Sequence, residues 1–317
     1  MPHTARRHAA GTRRLSEHDP ERWEPAFGKD HAQTKNPTLN YRHAFHAGNF
    51  ADVFKHVLLA RVLMHLRAKE AAFRVIDTHA GAGRYDLSAS EAARTGEWRH
   101  GIGRLLASPP DRETLELLKP YLDCVRTERG ANEPGFYPGS PAIALALSRP
   151  QDRLIFCELQ PDDRQTLATT VDDRRVKVLE SDGWAVLKAQ LPPPERRGLV
   201  FIDPPFEEPG EFQRFEQGLV DAIRRWATGI FMFWHPVKDA HETEAFSRRI
   251  ARLGIPKILR VELAIRPVRA DALNVCAILT VNPPWTLEAE LARLMPYLAR
   301  VLGDDNAGRY QIDWLTR

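Results

Sequence analysis

From Phe73 to Val281, short β-branched runs alternate with stretches of helical period, and no other feature of this 317-residue chain narrows its fold so far. FRVID (73–77), RLIFCEL (153–159) and VKVLESDG (176–183) read as strands, the last running into a turn. GLVFIDPPF (198–206), TGIFMFWHP (228–236), KILRVELAI (257–265) and LNVCAILTVNPP (273–284) complete a set of seven. Helical spacing fills 162–171, 184–191, 212–227, 241–254 and 287–302. Strands that alternate with helices predict an α/β fold: a mostly parallel, seven-stranded sheet covered on both faces. Two strands in succession near the end predict an antiparallel pair at one edge.

Upstream of the first strand, ADVFKHVLLARVLMHLRAKEAA (51–72) spaces Val53, Val57, Leu58, Val62 and Leu66 as one buried helical stripe. Residues 86–150 interrupt the alternation with helical stretches at 104–107, 112–126 and 141–148, so they are expected to form an inserted helical subdomain. Residues 1–40 are polar, carry Arg6, Arg7, Arg13 and Arg14, and lack sustained periodicity; a flexible extension is expected there. That leaves 41–317 as one domain. Apolar residues make up 43% of the chain, enough for a sizeable core, yet no apolar run reaches the roughly 20 residues a membrane span needs. Cys124, Cys157 and Cys276 are far apart and odd in number, which predicts reduced thiols in a cytoplasmic protein. A net charge of +3 permits a nucleic-acid partner without demanding one.

In an open α/β sheet, ligands bind beyond the carboxyl ends of the strands. Four consecutive strands end on acids there: Asp77, Glu158, Asp182 (followed by Gly183) and Asp203. The first strand opens into THAGAG, where Gly81 and Gly83 supply two glycines of a dinucleotide loop. The third glycine position is Asp86, whose carboxylate would repel a pyrophosphate, and the GK[ST] of a phosphate loop is missing. A nicotinamide dehydrogenase is thereby disfavoured. A ligand with an adenosine and a zwitterionic tail but no phosphate fits better, and S-adenosylmethionine is such a ligand. Gly81 and Gly83 would let backbone approach its methionine portion. Glu158 would accept from the ribose hydroxyls and Asp182 from the adenine amino group.

Asp203-Pro204-Pro205-Phe206 sharpens the reaction. The exocyclic amine of adenine is a poor nucleophile because its lone pair is delocalised into the ring. The Asp203 carboxylate and the Pro204 carbonyl are two acceptors for its two N–H groups. Prolines fix their own φ and carry no competing N–H, so the acceptors are held in one geometry. Phe206 offers a face on which a flipped base can stack. The residues themselves leave other targets open: a DNA adenine, a protein glutamine, or RNA bound without catalysis. Trp234 and His235 could edge the target pocket or simply pack. His43, His46 and His56 have no cysteine or paired carboxylate motif beside them, so no metal is expected.

YRHAFHAGNFADVFKH (41–56), DTHAGAGRYDL (77–87), RTGE (94–97), YPGSP (137–141), ELQP (158–161), SDG (181–183), RRGLVFIDPPF (196–206) and NPPW (282–285) together carry a further likeness. The chain from about 41 to 317 resembles the bacterial 23S ribosomal RNA (adenine-N6)-methyltransferase family, whose fold is a Rossmann-like methyltransferase with an inserted helical subdomain. The resemblance implies S-adenosylmethionine as cofactor, 23S ribosomal RNA as partner, and a cytoplasmic, monomeric, metal-free enzyme that flips one adenine onto the Asp-Pro-Pro-Phe motif. It implies that Lys55, His56, Asp77, His79, Gly81, Gly83, Ser140, Glu158, Asp182, Gly183 and Asp203 bind cofactor. It further implies that Asp203 is the catalytic acceptor, with Pro204 and Phe206 beside it, and that Tyr41 meets the RNA. Phenylalanine stands where the family often has tyrosine after the two prolines, a change that keeps a stacking surface.

Overall fold

The computed structural model describes residues 42–129, 135–207 and 210–317. The extension expected over 1–40 and Tyr41 lie outside the described residues. The main sheet has strands β1 (Arg74–Asp77), β4 (Arg153–Cys157), β5 (Val176–Leu179), β6 (Gly198–Ile202), β7 (Ile230–Pro236), β8 (Ile258–Ala264), β9 (Val275–Val281) and β10 (Arg309–Thr316). A separate two-stranded ladder pairs β2 (Arg84–Asp86) with β3 (Phe136–Pro138). The order across the main sheet is β10-β8-β9-β7-β6-β1-β4-β5.

The class expected from the sequence holds, with two corrections. The sheet has eight strands, not seven. The missed strand, β10, is half-exposed along much of its length, so its sequence RYQIDWLT carries no clean buried face. The antiparallel pair β8–β9 is not at the edge: β9 runs between β7 and β8, and β10 takes the edge outside β8. The five strands from β5 to β7 are mutually parallel.

Helices α1 (Phe50–Arg67), α5 (Ser140–Ala146), α6 (Pro161–Thr170) and α10 (Leu287–Leu302) feed one apolar cluster, joined by α4 (Arg112–Arg129). Helices α7 (Gly183–Gln190), α8 (Glu211–Arg225) and α9 (Ala240–Ala251) feed the other. The central strands alternate between the two. Val75, Leu199 and Phe201 point into the first cluster, and Ile76, Val200 and Ile202 into the second. Because each strand is buried on both faces, every one of these side chains is apolar, each worth roughly 1.5–3 kcal/mol of burial. Between β2 and β3 lie α2 (Ser90–Thr95), α3 (Arg104–Ala107) and α4.

Helix α1 departs from the single stripe its spacing suggested. From Phe50 to Ala60 every residue is buried, Asp52, Lys55 and His56 included. The helix packs on β6 from one side and is wrapped by α4, α5 and α10 on the others. A helix enclosed in this way is sequestered all round, and its polar residues must find partners inside the protein.

Candidate active site

Four acids lie at the carboxyl ends of four neighbouring parallel strands: Asp77 closes β1, Glu158 follows β4, Asp182 follows β5 and Asp203 follows β6. Between them the loop after β1 is drawn into the sheet edge by its own backbone. Thr78 N donates to Phe201 O (3.0 Å) and Ala80 N to Cys157 O (2.9 Å). Gly81 then turns with φ +60, a left-handed conformation that favours glycine, and a Cβ there would stand 2.3 Å from the Tyr85 hydroxyl. Its N–H donates to Glu158 Oε2 at 2.8 Å, while Gln160 N donates to Oε1 at 2.7 Å. Gly83, with φ +74, offers its carbonyl to Gly139 N at 2.9 Å and so ties the loop to the entrance of α5.

Asp77 is buried. Ser140 Oγ donates to its Oδ2 at 2.7 Å, and His79 N to its Oδ1 at 3.2 Å. Burial, helped by the nearby Asp203 charge and only partly offset by the Ser140 hydrogen bond, pushes its carboxyl up to about 7. Burial also raises the Glu158 carboxyl. His79 hydrogen-bonds Thr78 Oγ1 through Nδ1 (2.9 Å), meets Trp184 edge-on at 6.0 Å, and is lowered to about 4 by desolvation. Asp182 caps α7, its Oδ1 accepting from Trp184 N (2.7 Å) and Ala185 N (3.1 Å). Gly183 has ordinary backbone angles; a Cβ there would fall 2.4 Å from the Thr78 carbonyl, so glycine lets α7 approach the β1 loop.

On the other side of the edge, Lys55 reaches from α1 to Asp203, its Nζ donating to Oδ2 at 2.6 Å. The same ammonium is 2.8 Å from Asp52 Oδ1 and 5.7 Å from the centre of the Trp234 ring. Asp52 also accepts from Gly48 N (2.8 Å) and from His43 Nε2 (3.0 Å), both to Oδ2. Burial would raise the Asp52 carboxyl, but the charges of His43 and Lys55 more than offset it and hold it well below the usual carboxylate range. Asn49, the N-cap of α1, accepts from Asp52 N at 2.9 Å and sets the register of this turn.

His56, one residue after Lys55, is enclosed: its Nδ1 is 2.8 Å from the Tyr137 hydroxyl, which is 3.0 Å from that of Tyr121. Desolvation lowers it to about 3, so it is a neutral hydrogen-bonding group. Phe206 is half-buried with φ +53, a left-handed conformation that costs a non-glycine residue roughly 1 kcal/mol or more. That turn sets its ring against Phe212 (5.2 Å) and Trp234 (6.1 Å), both edge-on, and Phe233 (6.0 Å). Pro204 is buried. Trp234 packs rather than opening to solvent, and His235 is fully buried.

Sequence reasoning missed Asp52, which looked like an ordinary helix charge three residues before Lys55. The sequence offered only an acid and a base at i and i+3 in a largely apolar helix; their burial follows from the packing around α1. Tyr121 carried no signal of its own, and Tyr137 was marked only as the first residue of YPGSP. Among the described residues, no group of three or more His, Cys, Asp or Glu side chains is arranged to hold a metal ion.

The donor set fits a particular kind of ligand. A mouth lined by Asp77, Glu158, Asp182 and Asp203 would repel a polyphosphate and suits a cofactor with ammonium and sulfonium charges. A five-stranded parallel core, a glycine turn after β1 and an Asp-Pro-Pro-Phe after β6 define a Rossmann-like methyltransferase, with S-adenosylmethionine as its methyl donor. A family model described as "Ribosomal RNA large subunit methyltransferase D, RlmJ" matches residues 70–316, and the chain belongs to that family. The "Ribosomal RNA large subunit methyltransferase J" of Haemophilus influenzae is 40% identical over 282 residues, which span 88% of this chain and 99% of the relative. Its namesake in Escherichia coli K12 is 38% identical over 279 residues, 87% and 99% of the two chains. A crystal structure of a Legionella pneumophila protein superposes with a TM-score of 0.77 at 34% identity, covering 85% of this chain and 98% of that one.

No helix among the described residues is long and apolar enough to cross a membrane.

Proposed function

We propose that this protein methylates N6 of one specific adenine in 23S ribosomal RNA. The observation that carries the reading is the contact of Lys55 Nζ with Asp203 Oδ2 at 2.6 Å, at the end of the central strand β6. An N–H donor already rests on the acceptor that an exocyclic amine requires. The amine takes that place on Asp203, and Lys55 keeps a carboxylate partner in Asp52, 2.8 Å away. The Pro204 carbonyl accepts the second amine N–H, so the lone pair is turned out of conjugation with the ring. Phe206, braced by Phe212 and Trp234, presents the rest of its ring to the flipped base.

When bound, S-adenosylmethionine supplies an electrophilic methyl group on a sulfonium. Glu158, steadied by Gly81 N and Gln160 N, accepts from the ribose hydroxyls. The Asp182 oxygen not engaged as the α7 cap accepts from the adenine amine of the cofactor. Asp77 and Ser140, held together at 2.7 Å, and His79 face its amino-acid end, with Lys55 and His56 closing the α1 side. Tyr41 meets the RNA, 41–317 works as one domain, and the insertion within 86–150 belongs to the RNA side. The enzyme acts as a cytoplasmic monomer.

The test is mass spectrometry of ribosomal RNA from a strain lacking this protein. One adenine of 23S RNA should lose a single methyl group and regain it on complementation. An unchanged large-subunit RNA would overturn the proposal.

A further inference from the structure

Three residues of Arg94-Thr95-Gly96-Glu97 have work inside the fold. Thr95 Oγ1 donates to the Phe45 carbonyl. Gly96 ends α2 with φ +63. Glu97 accepts from His46 Nδ1 and from Asn49 Nδ2, both at 3.0 Å. Arg94 is different. It is exposed, and its guanidinium lies over the Phe45 ring, 4.5 Å from the centroid. Arg99, also exposed, repeats the arrangement on Trp98 at 4.8 Å. No described carboxylate forms an ion pair with either, whereas Arg61, Arg74, Arg84 and Arg104 each have one.

A guanidinium laid on an aromatic ring keeps its in-plane N–H edge free and loses much of its rotational freedom. Two such groups, five residues apart and outside ion-pair distance of any described carboxylate, leave N–H edges that suit tetrahedral oxyanions. Around them Glu91 and Glu97 are the nearby acids of the segment, Glu97 being held by His46 and Asn49, and Arg104 being paired with Asp304. The segment is bonded to the active site. Ile102 N donates to Gly48 O at 2.9 Å, Gly48 N donates to Asp52, and Asp52 holds the lysine that reaches Asp203.

We propose that Arg94 and Arg99, braced on Phe45 and Trp98, clamp backbone phosphates of the RNA beside the flipped adenine. The clamp rests on the RNA reading above and assigns the surface that holds the strand while Asp203 and Phe206 hold the base. Phosphate contacts set register and supply affinity without reading sequence.

The experiment measures binding of in vitro transcribed 23S RNA to the full chain across a salt series, with S-adenosylmethionine affinity by calorimetry as the fold control. Arg94→Gln/Arg99→Gln should bind RNA about tenfold more weakly near 0.1 M salt, with a log–log salt slope shallower by about 1.5, the loss of two phosphate contacts. Arg94→Lys/Arg99→Lys should restore most of the slope. An unchanged slope in the glutamine variant overturns the clamp, as does a loss of S-adenosylmethionine affinity, which would assign both arginines to the fold. If the wild-type protein leaves this RNA unmethylated, the proposed function fails and the clamp fails with it. A wild type that methylates beside a variant of unchanged slope sinks the clamp alone.

Discussion

Two ion-pair networks, each built on a buried acid, sit at opposite ends of the same strands. At the amino end, Asp152 accepts from Phe73 N (3.1 Å) and Arg149 N (2.7 Å), and takes Arg149 Nε at 3.0 Å. Arg149 Nη2 also donates to Asp152 Oδ1 (3.0 Å), and its guanidinium donates further to the carbonyls of Arg67, Lys69 and Ala71. One acid meets one base, and the donors and acceptors are matched. At the carboxyl end, Lys55 alone stands between Asp52 and Asp203, with Asp77 close by. Acids outnumber bases, and one of them holds its proton near neutrality. The matched network stitches α1 to β1 and β4. The unmatched one is stable only because the fold enforces it, and its surplus acceptors suit a ligand that brings its own donors and positive charge.

The contrast can be broken from either end. Asp152→Ala should give the largest effect on stability. It leaves the buried Phe73 N–H without its acceptor and the half-buried Arg149 without its carboxylate, at a cost of about 1–3 kcal/mol. Thermal unfolding should show a fall of several degrees while the surviving folded protein still binds S-adenosylmethionine. A loss under about 1 kcal/mol would mean the matched network is not what holds these elements together. Asp203→Ala should do the reverse: methyl transfer falls on the order of 10²-fold or more, while stability changes little. Single-turnover assays with near-normal rates would remove Asp203 from the chemistry.

Asp77→Asn gives the smallest and most diagnostic effect, a change of pH dependence. In the folded protein the Asp77 carboxyl is raised to about 7. Between the ordinary carboxylate value near 4 and that point, the folded state holds a proton the unfolded chain has released. Its contribution therefore falls as pH rises through this window. His56, lowered to about 3, and His79 and His235, each lowered to about 4, act oppositely and cost stability as pH falls below about 6.5. The readout is thus the difference between variant and wild type. Asp77→Asn should gain on wild type as pH goes from 4 to 7; a constant offset in melting temperature would show that Asp77 does not titrate there.

The strand-end acids were legible in the sequence because a strand buried on both faces is a run of apolar residues, and its first acid marks where it leaves the core. Asp77, Glu158 and Asp203 were found in this way, together with the glycines of the β1 loop. Local patterns could not show which partner each acid would find. Asp182 reads like the others but also caps its helix. His56 reads like a site histidine, and its Nδ1 is bonded to Tyr137, which is itself bonded to Tyr121. Asp52 required the knowledge that α1 is wrapped on every side, which depends on α4, α5 and α10, far away in the chain. The left-handed turn at Phe206 has no local signature either; the two prolines before it only announce a turn.

The late strand β10 has a consequence for association. It forms one outer edge of the sheet, and β5, four residues long, forms the other. Open edges are where a second copy of a chain can add its own strand. Along β10 the register slips between Trp314 and Thr316, and Asp313 is engaged by Arg260 at 2.9 Å. One edge is too short and the other too irregular and charged to template a long flat ladder. The irregular, charged β10 edge gives the sheet a margin against edge-to-edge pairing with a second copy.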